Sequence, residues 1–222
     1  MFEPNSKDLI DFLEFLLKVL GGIGAFYLFI VGLKRYAKDQ IWKRNEFVAL
    51  RANEFNSDKM VRNTMYMLDW GKRYIELFPD NPNYTDRYAK VTRRILKSAL
   101  QSHRIKKQFS KVEVAIRDNF DSFFNYFEVF EQYIEAGLIT PKEIEPYLKY
   151  WIETISDDME LDVKNTIHHY LNEYNFKGSQ NFFRRFEKNI LPNTPIESTL
   201  FNEEEEIDTS NFENENDETE NS

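Results

Sequence analysis

The chain has no cysteine, which removes disulfides, cysteine-based zinc sites and thiol nucleophiles from consideration. Glycine is scarce as well. Of seven glycines in 222 residues, Gly21, Gly22, Gly24 and Gly32 share one apolar stretch, and only Gly71, Gly137 and Gly178 lie elsewhere. No proline occurs between Pro82 and Pro141, and there is no Asn-Gly or Asp-Gly pair. Together these absences argue against β-hairpins and predict an all-α chain. Also missing are the GxxxxGK[ST], GxGxxG and GxSxG patterns, which would cradle phosphates or raise a serine nucleophile.

Candidate metal chemistry is thin. Of three histidines, His168 and His169 are adjacent and point about 100° apart on a helix, unlike the i,i+4 pair of a helical metal site; His103 stands apart. Asp157, Asp158, Glu160 and Asp162 cluster without the spacing of a calcium loop and read as a helix start. The expectation is no metal, no cofactor, no catalytic residue and no enzymatic activity.

What the chain does have is one long hydrophobic run. Residues 19–33 carry no charge, and from Leu9 to Lys18 only Asp11, Glu14 and Lys18 interrupt the apolar sequence. A bilayer core of roughly 30 Å takes about 20 apolar residues at 1.5 Å each. Reaching back to Leu16 or Leu13 supplies that length, with Lys18 snorkelling toward the headgroups. The flank before the run holds Glu3, Asp8, Asp11 and Glu14 against Lys7, the reverse of a signal peptide. After it come Lys34, Arg35, Lys38, Lys43 and Arg44. The positive-inside rule then predicts a single-pass protein of the inner (plasma) membrane, N-terminus outside and C-terminal domain cytoplasmic.

The small and polar residues of this run are ordered. Asp11, Glu14, Lys18, Gly21, Ala25 and Gly32 fall on alternating steps of three and four, with Leu28 filling the gap, and so share one helix face. Gly21 and Ala25 form a small-xxx-small pair that admits close helix contact in lipid. This face is a candidate surface for self-association or for another membrane subunit.

Three parts follow: residues 1–35 as N-terminal segment and transmembrane helix, 36–196 as a cytoplasmic helical domain, and 197–222 as a disordered acidic tail. The tail explains the net charge of −9: residues 197–220 hold eleven acids and no Lys or Arg, leaving −9 + 11 = +2 for the remainder. Ser57 with Asp58 reads as the start of a helix over residues 60–78. Residues 84–107 are helical by pattern. Ser110 and Glu113 form a capping box for an aromatic helix over residues 112–136, which Gly137 ends. Thr140-Pro141 opens the next helix; others follow over residues 161–174 and, after Ser179, 180–189. The core is expected where the aromatic helix meets residues 60–78 and 144–155. Trp42, Trp70 and Trp151 are read as core.

One surface stands out by charge. Arg87, Lys90, Arg93, Arg94, Lys97, Arg104, Lys106, Lys107 and Lys111 follow one another with no intervening acid. Such a run suits anionic lipid or the phosphates of nucleic acid, or forms a solvated helix face paired with acids of the next helix or the tail.

The layout resembles known families. An anchor leads into a basic, tryptophan-containing helix (KDQIWKRNEFVALRANEF), then the segment MVRNTMYMLDW, then an aromatic helix, a short turn and a Tyr-Leu-x-x-Trp helix. This is similar to bacterial families of small single-pass membrane-anchored helical proteins of unknown function. The resemblance implies a bacterial membrane setting and carries no activity. Two functions are compatible with all of this: an adaptor or regulator whose cytoplasmic bundle binds a partner, or an oligomerising membrane effector of defence or toxin type whose anchors perturb the bilayer.

Overall fold

The computed structural model describes residues 6–190, with side chains from Ile10 onward. The acidic tail and Pro192 and Pro195 lie outside the described residues. Seven α-helices and one two-stranded sheet make up the described chain.

Helix α1 runs from Ser6 to Ser57 without a break. At 1.5 Å per residue its 52 residues extend about 78 Å. It has two different environments. Every described side chain up to Lys43 is exposed except the half-buried Ile30. Beyond Arg44 the helix enters the body: Val48, Ala52 and Phe55 are 1 %, 1 % and 0 % exposed. The recurrence at four and three residues places them on one stripe.

Asp58 breaks the helix and caps the next. Its carboxylate accepts from the N–H of Met60 and of Val61 at 2.8 and 3.1 Å, satisfying two of the orphan donors that any helix start leaves. Helix α2 (Lys59–Asp69) is therefore capped by Asp58 and not by Ser57, whose hydroxyl instead bonds the Asn53 carbonyl.

The expectation of helix through residue 78 and again over 84–107 is overturned. Strands β1 (Lys72–Glu76) and β2 (Tyr88–Thr92) pair antiparallel, Tyr74 opposite Lys90 and Ile75 opposite Ala89. The pattern is strand-like once seen: Ile75 and Val91 are buried, while Tyr74, Tyr88 and Lys90 are exposed. The hairpin escapes the composition argument because its connection, residues 77–87, is long and needs no glycine. It is built from Pro79, Pro82, an Asn83–Asp86 contact of 3.0 Å and a 3₁₀ turn. Only Arg93–Ala99 is helical after it (α3), capped by Thr92.

Helix α4 (Lys111–Glu135) is the centre of the core. Its capping box is closed in both directions, Ser110 N–H to Glu113 at 2.8 Å and Glu113 N–H to Ser110 Oγ at 3.3 Å. Phe120, Phe123, Phe124, Phe127 and Phe130 are all buried. Gly137 terminates it with φ +69°, a left-handed turn that favours glycine. Helix α5 (Pro141–Glu153) continues into a π-helical turn, Thr154–Asp158, before α6 (Leu161–Glu173).

The expected partners of α4 are incomplete. Besides α2, its largest neighbour is α7 (Lys177–Arg184), whose Phe182 and Phe183 rings lie 5.2 and 5.1 Å from Phe127. Helix α7 begins before Ser179, not after it. Ser179 is buried inside the helix, its hydroxyl donating to the Phe124 carbonyl at 2.7 Å. From the opposite side Phe55 of α1 meets Phe123, Tyr126, Phe127 and Phe130 at 5.4 to 6.0 Å. Such rings each bury large areas and prefer tilted or edge contacts. Of the three tryptophans only Trp151 joins this core; Trp42 and Trp70 are 64 % and 57 % exposed, contrary to expectation.

Candidate functional site

The apolar half of α1 is the first candidate. One helix in the described chain is long and apolar enough to cross a membrane, and the body covers none of its apolar window. Asp11, Glu14, Lys18, Gly21, Ala25 and Gly32 are all exposed on it. Glu14 and Lys18 form the expected i,i+4 pair at 2.6 Å. A side-chain carbon built on Gly21 or Gly32 would meet nothing within 4 Å, so these glycines are not required by the fold of the single chain.

The basic segment does not form one surface, because it is split between a strand, a short helix and a loop. Arg87 Nε donates to the Asn81 carbonyl at 2.7 Å. The Arg93 guanidinium donates to the Met67 and Leu68 carbonyls at 2.8 and 2.9 Å, closing the C-terminal end of α2. Lys97 pairs with Asp162 at 2.6 Å and Arg104 with Glu173 at 2.9 Å. Lys106 pairs with Glu113, which Ser98 also contacts at 2.6 Å. Burial pushes the Glu113 carboxyl up, but Lys106, Ser98 and the Ser110 N–H outweigh it and hold the group below the usual carboxylate range. Lys90, Lys107 and Lys111 are exposed on separate elements, as is Arg94 at the start of α3.

A buried cation that sequence reasoning did not single out ties this segment down. Arg117, in the second turn of α4, donates to the Ala99 and Gln101 carbonyls at 2.8 and 2.9 Å. Its guanidinium lies 4.7 Å from the Phe109 and Tyr174 ring centres and 5.0 Å from that of Tyr170, a cation–π enclosure. His103 completes the cluster, its Nδ1 2.5 Å from the Tyr174 hydroxyl. A cleft of about 400 Å³ borders the cluster, but Arg117, His103, Tyr174, Tyr170 and Asp121 are engaged within the fold, so it reads as a fastening of the 100–110 loop. A lone arginine in an aromatic helix gives no sequence signal for this role.

His168 Nε2 lies 3.0 Å from the Ile155 carbonyl in the core, and among the described residues no three His, Asp or Glu side chains stand close enough to hold a metal ion. Asp157 is paired with Lys188.

The second cleft, of about 350 Å³, lies between α2 and the hairpin and was not foreseen. Asn63 donates to the Glu76 carbonyl at 3.0 Å and so fixes β1 beside α2. Across the opening, Lys59 pairs with Glu76 at 2.6 Å and Arg62 donates to the Tyr66 hydroxyl at 3.2 Å. Arg73 lies over the Tyr66 ring at 4.0 Å and the Trp70 ring at 5.4 Å. The hydrogen bond from Arg62, aided by the charges of Arg62 and Arg73, holds the Tyr66 hydroxyl below its ordinary value. Tyr88 lines the rim, and its ring lies 5.3 Å from that of Tyr84, tilted at 58°. The signal that could have found this cleft is the exposed alternation Lys72, Tyr74 and Tyr88, Lys90, spread over strands too short to stand out from helix.

No family model, no curated protein and no solved structure matches the chain.

Proposed function

We propose that the protein is a single-pass membrane-anchored adaptor or regulator whose helical body binds a partner on the cytoplasmic side, without catalysis. The observation that carries this reading is the double environment of α1. Its apolar run from Val19 to Leu33 is left uncovered by the body, which in water would be costly, while its last turns are part of the body's core. An unbroken helix with no extended segment near its apolar run is also unlike a cleavable signal. Anchor and body thus share one unbroken helix, suited to holding a binding module away from the bilayer.

The cysteine-free background allows a direct test. Single-cysteine variants Ser6→Cys and Asn83→Cys are expressed in a bacterium and treated with a membrane-impermeant maleimide. Ser6→Cys is expected to label in intact cells and Asn83→Cys only after lysis, with the protein in the carbonate-washed membrane fraction. Recovery in the soluble fraction, or the reverse labelling, overturns the reading. Crosslinking in membranes followed by affinity purification then identifies the partner.

A further inference from the structure

The cleft between α2 and the hairpin has the composition of a nucleotide-binding surface. Three cations, Lys59, Arg62 and Arg73, converge on it with a single carboxylate, Glu76, which is spent on Lys59. Among the described residues neither Arg62 nor Arg73 has a carboxylate at ion-pair distance; their contacts are tyrosine and tryptophan rings and a phenol hydroxyl. Two guanidiniums held at an open cleft without counter-charge favour an anion, and their planar forks match phosphate oxygens.

Rings border those charges: Tyr66, Tyr74 and Tyr88 line the cleft, Trp70 lies beside Arg73 and Tyr84 beside Tyr88. Trp70, Tyr74, Tyr84 and Tyr88 are 57 %, 52 %, 66 % and 37 % exposed. Isolated exposed rings are ordinary on a protein surface, but a cluster of them marks a contact site. Lys72 and Lys90 sit on the same hairpin. Aromatic faces beside arginines and lysines are the combination that stacks bases while neutralising their phosphates.

A lipid headgroup would satisfy the cations but not the rings, and the placement is against it. Helix α1 rises from Leu33 to Ser57 before α2 begins, about 36 Å at 1.5 Å per residue, and the headgroup layer adds only several ångströms to the hydrocarbon core. With the anchor in the bilayer, Lys59 lies beyond the headgroups.

We propose that this cleft binds a nucleotide unit, base against the tyrosines and phosphate on Arg62 and Arg73, either as a free nucleotide or within a single strand. The inference deepens the adaptor reading by naming the ligand class of its body, and it does not depend on the anchor's topology. A chain that fails the membrane test but binds nucleotide, or the reverse, separates the two.

The test uses the full chain in neutral detergent at low salt. Fluorescein-labelled oligouridine is titrated by anisotropy, AMP by Trp70 fluorescence with Trp70→Phe as control, and phosphatidylglycerol-containing vesicles by co-sedimentation. Length-dependent oligouridine binding assigns a single strand, and AMP binding with Trp70 quenching assigns a free nucleotide; either supports the cleft. In both cases R62Q/R73Q is expected to weaken binding at least about ten-fold and to flatten the salt dependence, each lost phosphate contact lowering the slope by about one, while Arg104→Gln leaves it unchanged. If R62Q/R73Q loses its helical circular dichroism, Tyr88→Ala on the exposed rim replaces it. No binding to oligouridine or AMP, unchanged affinity in the folded variant, or binding to vesicles alone overturns the proposal.

Discussion

Arg185, just past the end of α7, grips the buried Glu131 of α4 with two nitrogens, Nη2 at 2.8 Å and Nε at 3.2 Å. The Glu131 side chain is 2 % exposed and that of Arg185 42 %, so the carboxylate is desolvated and its partner is not. Removing the arginine strands a buried charge, which costs more than the pair itself contributes. Arg185→Gln is expected to lower stability by about 2 kcal/mol, less than a fully buried pair because the arginine is half in water. Glu131→Gln in the same chain should restore most of the loss. Urea denaturation of the two singles and the double variant measures it; additive losses would show that the two residues act independently.

Gly178 is the one glycine of the body pressed by a neighbour. A side-chain carbon there would meet Glu128 Cα at 3.2 Å and Glu128 Cδ at 3.1 Å. The backbone atom cannot swing aside as a side-chain end can, so α7 and α4 must part by a few tenths of an ångström. Overpacking of this kind costs about 1–3 kcal/mol. Gly178→Ala is expected to lower the thermal midpoint, whereas Gly71→Ala, with open space around it, should change it little.

Local signals were legible in the sequence and long-range ones were not. Ser110 with Glu113, Thr140 with Pro141, and Gly137 mark helix ends through bonds or dihedrals set within a few residues, and α4 begins and ends, and α5 begins, where those residues place them. The hairpin was hidden because its strands are five residues each and its connection uses proline and Asx turns in place of an Asn-Gly pair. The roles of Arg117, Arg185 and Arg73 depend on carbonyls, rings and acids brought from other elements, which no spacing rule reports. The basic segment illustrates the difference. Its composition is plain, yet most of its charges are committed within the body, while Arg62 and Arg73, which among the described residues have no carboxylate partner, lie earlier in the chain.

Asp121 gives a pH dependence of defined sign. Burial pushes its carboxyl up, more than the Tyr170 hydroxyl, donating at 2.5 Å, and the Arg117 charge pull it down. Tyr170, itself held protonated by burial and by Asp121, remains the donor throughout. An acid whose folded pKa lies above its unfolded value weakens the fold at high pH, because the folded state prefers the neutral form. That cost is full above the folded pKa and vanishes below the unfolded value of about 3.9. Asp121→Asn keeps an acceptor for Tyr170 without the charge. It is expected to be more stable than the parent at neutral pH, with the gain shrinking as the pH falls toward 4. Denaturation at a series of pH values reads this directly, and a gain that grows on acidification would contradict the assignment.

The small-residue face of α1 separates the reading of an adaptor that acts singly from that of an effector that assembles. Gly21 has no neighbour within 4 Å in the single chain and Ala25 is exposed, so bulk added at either position leaves the fold of one molecule untouched. A second helix packed against this stripe would be displaced, since close approach in lipid depends on small residues. If the stripe is an interface between copies, Gly21→Ile and Ala25→Ile are expected to abolish crosslinked dimers in membranes, while Leu16→Ile, on the opposite face of the helix, does not. Loss of dimers together with loss of toxicity on overexpression would assign the effector reading. Dimers that persist in both variants would remove this face from any assembly, and a harmless protein that stays monomeric would leave the adaptor.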